Sequence, residues 1–271
     1  MDNCIVIPVF NQLDFTINCL ESLNACGIPD SKIIIVNNGS TDGTREFLSA
    51  RSGIRTIHNP ENRGCGFAWN QGVKASSALW TVLLNNDVLI GPRWLEGLIG
   101  FAEEEKFDIV SPAMCEGEHD YDLRSYAAGF IEKMAGVRRE GIASGVCFMV
   151  HRRVFDAIGF FDDDPRLGGY EDDEFFRRAR EAGFRLAITG RAFLHHFGSV
   201  TQTAIQKSWN SPNASLGDRT YYRKKYRLNW FRRQKERLRQ SLRMALWRHT
   251  ERWRFGITLR MRRVAGVIEY L

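Results

Sequence analysis

The sequence has little that would staple a chain or carry it through a bilayer. Its six cysteines, Cys4, Cys19, Cys26, Cys65, Cys115 and Cys147, are scattered, with no Cys-x-x-Cys pair and no metal-finger spacing. They read as reduced, structural thiols of a cytosolic protein. No stretch approaches the ~18 uninterrupted apolar residues a spanning helix needs. Met1-Asp2-Asn3-Cys4 runs straight into Ile5-Val6-Ile7 without a basic leader, so a secretory signal is not expected. The expectation is a cytoplasmic protein, at most peripheral at the inner face of the cell membrane. No internal repeat or low-complexity tract is evident. What is present is a chain of 271 residues, 44% hydrophobic, enough for a substantial core and too long for a minimal stapled domain. Lys+Arg outnumber Asp+Glu by 38 to 32, but the balance is uneven. Residues 207–271 hold 18 basic and 4 acidic side chains, a net of +14 that leaves −8 for residues 1–206. An acidic body carries a basic tail.

The body alternates short β-type runs with helical segments, the pattern of an α/β protein with a mostly parallel sheet covered by helices. Strands are expected at 4–10, 32–36, 54–57 and 80–84, and later at 109–112, 145–150 and 186–188. Helices are expected at 13–26, 44–51, 67–75 and 175–182. Lys32-Ile33-Ile34-Ile35-Val36 is too apolar for a half-exposed strand and reads as central. The polar stretch 115–139 reads as a mobile loop over the site. The division expected is a domain at 1–206 and a basic, aromatic-rich helical extension at 207–271.

Three early strands end in polar turns on one predicted edge, where open α/β sheets bind ligands. Pro8, Phe10 and Asn11 close the first, and Asn37-Asn38-Gly39-Ser40-Thr41-Asp42-Gly43 the second. An amide at a strand end suits the donor and acceptor edge of a nucleobase, although alone such residues also make a plain capped turn. Asn85-Asn86-Asp87 closes the third and brings one carboxylate to the same edge. That suits a hard divalent cation that shares diphosphate oxygens, or equally an Asn-Asp turn.

Seven carboxylates crowd residues 162–174: Asp162, Asp163, Asp164, Glu171, Asp172, Asp173 and Glu174, against Arg166 alone. Mutual repulsion makes that costly unless a cation or substrate uses the charge. Asp173 and Glu174 read as solvated acids at a helix start, while Glu171 and Asp172 are candidates for proton transfer. Of the adjacent pair His195 and His196, at most one can face a site.

In this order, the motifs resemble the family-2 glycosyltransferases, inverting enzymes with the Rossmann-like GT-A fold, and within them bacterial rhamnosyltransferases. The residues are Ile7 to Asn11, Val36 to Thr44, Asn62-Arg63-Gly64 with Asn70, Leu84 to Asp87, Ser144-Gly145, Phe155 to Phe161, Tyr170-Glu171-Asp172 and His196 to Ser199. The resemblance implies transfer of a sugar from a nucleoside diphosphate, UDP or dTDP, to a glycan or lipid-linked acceptor in surface polysaccharide or glycoconjugate assembly. It implies nucleotide-sugar contacts at Pro8, Phe10, Asn11, Asn37, Asn38, Asn62, Gly64, Asn70, Asn86 and Asp87. It further implies Asp172 as the base with Glu171 beside it, and Mn2+ or Mg2+ on Asp87 and His196. Asn85-Asn86-Asp87 departs from the family's Asp-x-Asp by keeping only the last carboxylate. A catalytically inactive sugar-nucleotide-binding module is the alternative that departure raises. Sugar transfer with inversion also needs a base opposite a departing diphosphate, which fits these residues.

The tail sets aromatics and leucines among arginines at helical spacing. This suits an anionic membrane surface, or a helical hairpin packed on the domain or on a second copy in a homodimer. Nucleic-acid binding through the tail would leave the acidic cluster without a role.

Overall fold

The structure, a computed structural model, describes residues 2–198, 200, 219–227 and 229–271. Its centre is the parallel trio the apolar runs predict. Strand β1 (Asn3–Val9) lies between β2 (Ile33–Asn38) and β4 (Trp80–Leu84), with Ile5 opposite both Ile33 and Val82. β3 (Arg55–Asn59) flanks β2. These central strands are apolar on both faces because helices cover both. Alternate residues of β1 point to opposite cores. Ile5, Ile7 and Val9 pack with α1 (Leu13–Ala25) and α4 (Trp94–Glu105), while Cys4 and Val6 pack with α3 (Cys65–Lys74), α6 (Arg152–Ile158) and α7 (Glu171–Glu181). A shorter helix, α2 (Thr44–Ser49), follows the second polar turn.

Beyond β4 the sheet turns mixed. β8 (Cys147–His151) runs antiparallel between β4 and β6 (Ile109–Gly117), and β9 (Leu186–His196) runs parallel to β6. Two short strands, β5 (Val88–Ile90) and β7 (Arg138–Glu140), pair antiparallel with β9. After the body come α8 (Arg219–Lys225) and α9 (Trp230–Phe255). The chain then returns as β10 (Arg260–Val264), parallel to β6, and β11 (Val267–Tyr270), its hairpin partner. Among the described residues no helix is long and apolar enough to cross a membrane. The expected boundary at 206/207, and Ser199, lie outside the described residues.

Four local expectations need correction. The stretch 115–139 is not a loop. It holds the end of β6, then α5 (Leu123–Met134), capped by Asp122 accepting from the Ser125 N–H, with Ala127, Phe130 and Met134 buried at helical spacing. β6 runs through Pro112, which lacks an N–H, because the pairing with β9 shifts register between Pro112 and Ala113. β9 therefore extends to His196 rather than ending at 188. Helix α7 begins at Glu171, within the acidic run read as a helix start and ahead of its apolar residues. The helical extension is present as α9, but it ends on two strands that the arginine-rich sequence disguises.

Candidate active site

The turn after β4 places the first half of the site. Asn85 N–H donates to the Val146 carbonyl at 2.9 Å, and β5 then pairs with the end of β9 so that Val88 faces His196. This register sets Asp87 Oδ2 3.4 Å from His196 Nε2, both side chains buried. Glu116, at the end of β6, brings Oε2 to 3.9 Å from His196 Nδ1. His196 is 5% exposed, yet neither of its ring nitrogens makes a hydrogen bond, an expensive state unless something else uses the lone pair. Among the described residues no three such side chains close into a metal cage. Two protein ligands with open positions still suit a hard cation that keeps waters and shares oxygens with a ligand. The residues present therefore fit a divalent cation. His195 points away from them. Its Nδ1 lies 2.9 Å from the Tyr121 hydroxyl and its Nε2 3.1 Å from the Gly117 carbonyl, and burial moves its pKa down to about 4. It is a satisfied neutral core histidine. Asn86 is buried and donates to Thr16 Oγ1 at 3.0 Å, which holds the turn on α1.

The start of α7 supplies the other half. Asp172 lies against Gly145, where an added Cβ would overlap its carboxylate. Gly145 precedes the residue that accepts from Asn85, so the acid sits beside the β4 tip. Burial, with the charges of Asp173 and Glu171, raises the Asp172 pKa to about 7, although backbone N–H groups offset part of the shift. Glu171 is buried against Gly66 in the first turn of α3, and burial raises it too. Cys65 ties the halves together. Burial pushes its thiol up, and the charges of Glu171, Asp172 and Asp87 push it further, so carboxylates from both halves act on one side chain.

Three more acids of the cluster, Asp162, Asp164 and Glu174, are paired within the chain. Glu174 is not the solvated acid expected of it. It is buried and held by Arg178, by Lys225 Nζ at 2.6 Å and by the Tyr226 hydroxyl at 2.5 Å. Burial would raise its pKa, but those bonds outweigh it and carry the carboxyl below its ordinary value. Lys225 also meets Asp162 at 2.5 Å, and Arg166 pairs with Asp164. Sequence reading misses Lys225 because it belongs to a distant helix. It misses Glu116 because it ends β6 at Pro112. A strand traced through to 117 would have shown a carboxylate at a strand end.

The polar loops of the other strand ends are stitched to one another. Asn11 N–H donates to Ser40 Oγ at 2.8 Å and its Oδ1 accepts from the Thr41 N–H at 2.8 Å. Asn37 Oδ1 accepts from the Ser40 N–H. Asn38 is buried with all four amide bonds made: it donates to Asn62 Oδ1 and the Gly64 carbonyl, and accepts from Asn59 and the Arg63 N–H. Asn62 and Gly64 are exposed, joined by the Gly64 N–H donating to Asn62 Oδ1 at 3.0 Å. Pro8 and Phe10 are half-buried at the tip of β1. Asn70 faces inward. Its amide makes two 2.9 Å bonds with the Phe161 backbone and so holds the segment leading to α7.

The sequence matches "Glycosyl transferase family 2" over residues 4–159. The match takes in Asp87 and Gly145, while Asp172 and His196 lie beyond it. Glycosyltransferase AglE of Haloferax volcanii is 26% identical over 196 residues, 68% of this chain and 63% of its own. This chain thus spans less than two thirds of that relative. Among solved structures, mannosyltransferase PcManGT of Pyrobaculum calidifontis, in complex with GDP-Man and Mn2+, superposes with a TM-score of 0.53 at 17% identity, over 72% of this chain and 56% of that one. TarS of S. aureus, residues 1–349, does so with a TM-score of 0.57 at 16% identity, over 80% and 67%. The sheet and its flanking helices form the GT-A fold, and with more than half of its length matched, the chain belongs to glycosyl transferase family 2.

Proposed function

We propose that the chain is an inverting glycosyltransferase that moves a sugar from a nucleoside diphosphate, UDP or dTDP, to an acceptor hydroxyl in glycan or glycoconjugate assembly. The observation that carries this reading is the grouping of Asp172, poised near neutrality, with Asp87 and His196 around the tip of β4. Two similar structures support a nucleoside-diphosphate donor without choosing the base: PcManGT was solved with GDP-Man and Mn2+, and TarS also with UDP. Asp172 in its ionised form takes the proton from the acceptor hydroxyl as that oxygen bonds to the anomeric carbon. The bond to the diphosphate breaks on the opposite face, which inverts the centre. Glu171, fixed between α3 and α7, holds the acid-bearing turn in place and keeps the Asp172 pKa high. Asp87 and His196 are the residues that would hold Mn2+ or Mg2+, and a cation there supplies positive charge for the departing diphosphate. Asn11, Asn37, Asn38, Asn62 and Gly64 shape the loop rim on which the nucleoside lies, with Asn38 acting through the 59–64 loop it fastens.

The test is transfer by purified protein from radiolabelled nucleotide sugars to a glycan acceptor pool, with thermal shift reporting donor binding. Asp172→Asn is expected to abolish transfer and leave the donor-induced shift nearly intact, and chelator is expected to suppress the parent enzyme. Unchanged turnover in Asp172→Asn removes the base assignment. Donor binding without any transfer or donor hydrolysis favours the inactive binding module instead.

A further inference from the structure

Helix α9 docks on the body by one side and leaves the opposite side open. Arg233, Met244, Trp247 and Glu251 form the sheltered side. Opposite them, Phe231, Leu238, Leu242, Leu246 and Trp253 fall within an arc of about 80° when the helix is projected at 100° per residue. These are among the most exposed large apolar side chains of the described residues, Phe231 at 77%, Leu238 at 62% and Trp253 at 79%. The helix has 26 residues, so the stripe extends over roughly 35 Å. Such an area of apolar surface left in water calls for a partner.

The charge pattern identifies which partner. The helix carries nine Lys and Arg against two Glu, and both acids are engaged within the chain, Glu236 with Arg177 and Glu251 with Arg139. A second copy meeting the stripe would set nine cations against nine. Nucleic acid would satisfy the arginines and leave the leucines and Trp253 in water. A bilayer with anionic headgroups meets both demands, with phosphates beside Arg232, Lys235, Arg239 and Arg248 and acyl chains beneath the stripe. We infer that α9 lies flat on an anionic membrane surface and seats the protein there.

The test is co-sedimentation of the full chain with phosphatidylcholine vesicles, with and without phosphatidylglycerol. The expected result is binding to the anionic vesicles and little to the neutral ones. Leu238→Ser/Leu242→Ser is expected to weaken that binding about tenfold, with an unchanged melting temperature because both residues are exposed. Arg232→Gln/Arg239→Gln should reduce the dependence on anionic lipid. Three outcomes would overturn the inference. The first is no binding to either vesicle. The second is binding that the leucine variant leaves unchanged. The third is a dimeric mass in light scattering that the leucine variant converts to monomer.

Discussion

The role proposed for Asp172 combines a functional demand with a cost to the fold. Burial and the neighbouring Asp173 and Glu171 charges lift its pKa to about 7, whereas the unfolded chain releases the same proton near ~4. Between those values the folded protein holds a proton that the unfolded chain has lost. This contribution to stability is complete below ~4 and disappears as the pH rises through about 7. Two outcomes follow. The parent enzyme's kcat/KM should increase with pH through an apparent pKa near 7, because only the ionised base accepts a proton. Asp172→Asn, expected to be inactive, should melt higher than the parent at pH 8, and the gap should close toward pH 4. A pH series of turnover and of thermal melts measures both, and equal melting curves at pH 8 would contradict the buried charge. His196 shows the same tension, since a buried imidazole with two unbonded nitrogens weakens the fold unless the site uses it.

At the scale of elements, the position of the proposed base, Asp172, depends on a glycine. Gly145 adopts no unusual backbone angle, so alanine is tolerated there by the chain, yet its Cβ would overlap the Asp172 carboxylate. Gly145→Ala should lower kcat on the order of 100-fold by misplacing the base, with donor KM and overall helicity nearly unchanged. Steady-state kinetics and circular dichroism check it. Which elements the sequence discloses follows the same logic of local versus distant causes. β1, β2 and β4 are legible because strands buried on both faces are almost purely apolar, and the polar tips Asn37-Asn38 and Asn85-Asn86-Asp87 stand out against them. Asp172 and His196 are legible as chemistry. Their proximity to Asp87 is not, because it depends on the β5–β9 register and on the turn beside Gly145, which are tertiary events. β10 is hidden for another reason. Arg262 and Arg263 find Glu116 and Asp120 across the β6 edge, so charge pairing replaces the apolar alternation by which strands are usually recognised.

For the whole molecule, the acidic body and basic tail hold each other. Arg139 of β7, fully buried, makes two 2.8 Å bonds to Glu251 of α9 and one of 2.9 Å to the Leu271 carbonyl, while Glu251 also accepts from the Leu259 N–H. One guanidinium fastens the helix, the strand after it and the last residue. Arg139→Met alone leaves the Glu251 carboxylate buried and unpaired, and should cost about 3–5 kcal/mol. Arg139→Met/Glu251→Leu should recover most of that loss, as urea titrations of the two variants would show. Failure of the double variant to recover would mean that the pair contributes more than mutual neutralisation.

Helix α9 is clasped at both ends, by Glu236 to Arg177 on α7 and by Glu251 to Arg139. α7 is also the helix whose first turn bears Asp172. These pairs tie the orientation of α9 to that of the helix bearing Asp172. Whatever plane α9 rests on, the proposed base would ride at one set height and tilt above it, and only hydroxyl groups presented at that altitude would come within its reach.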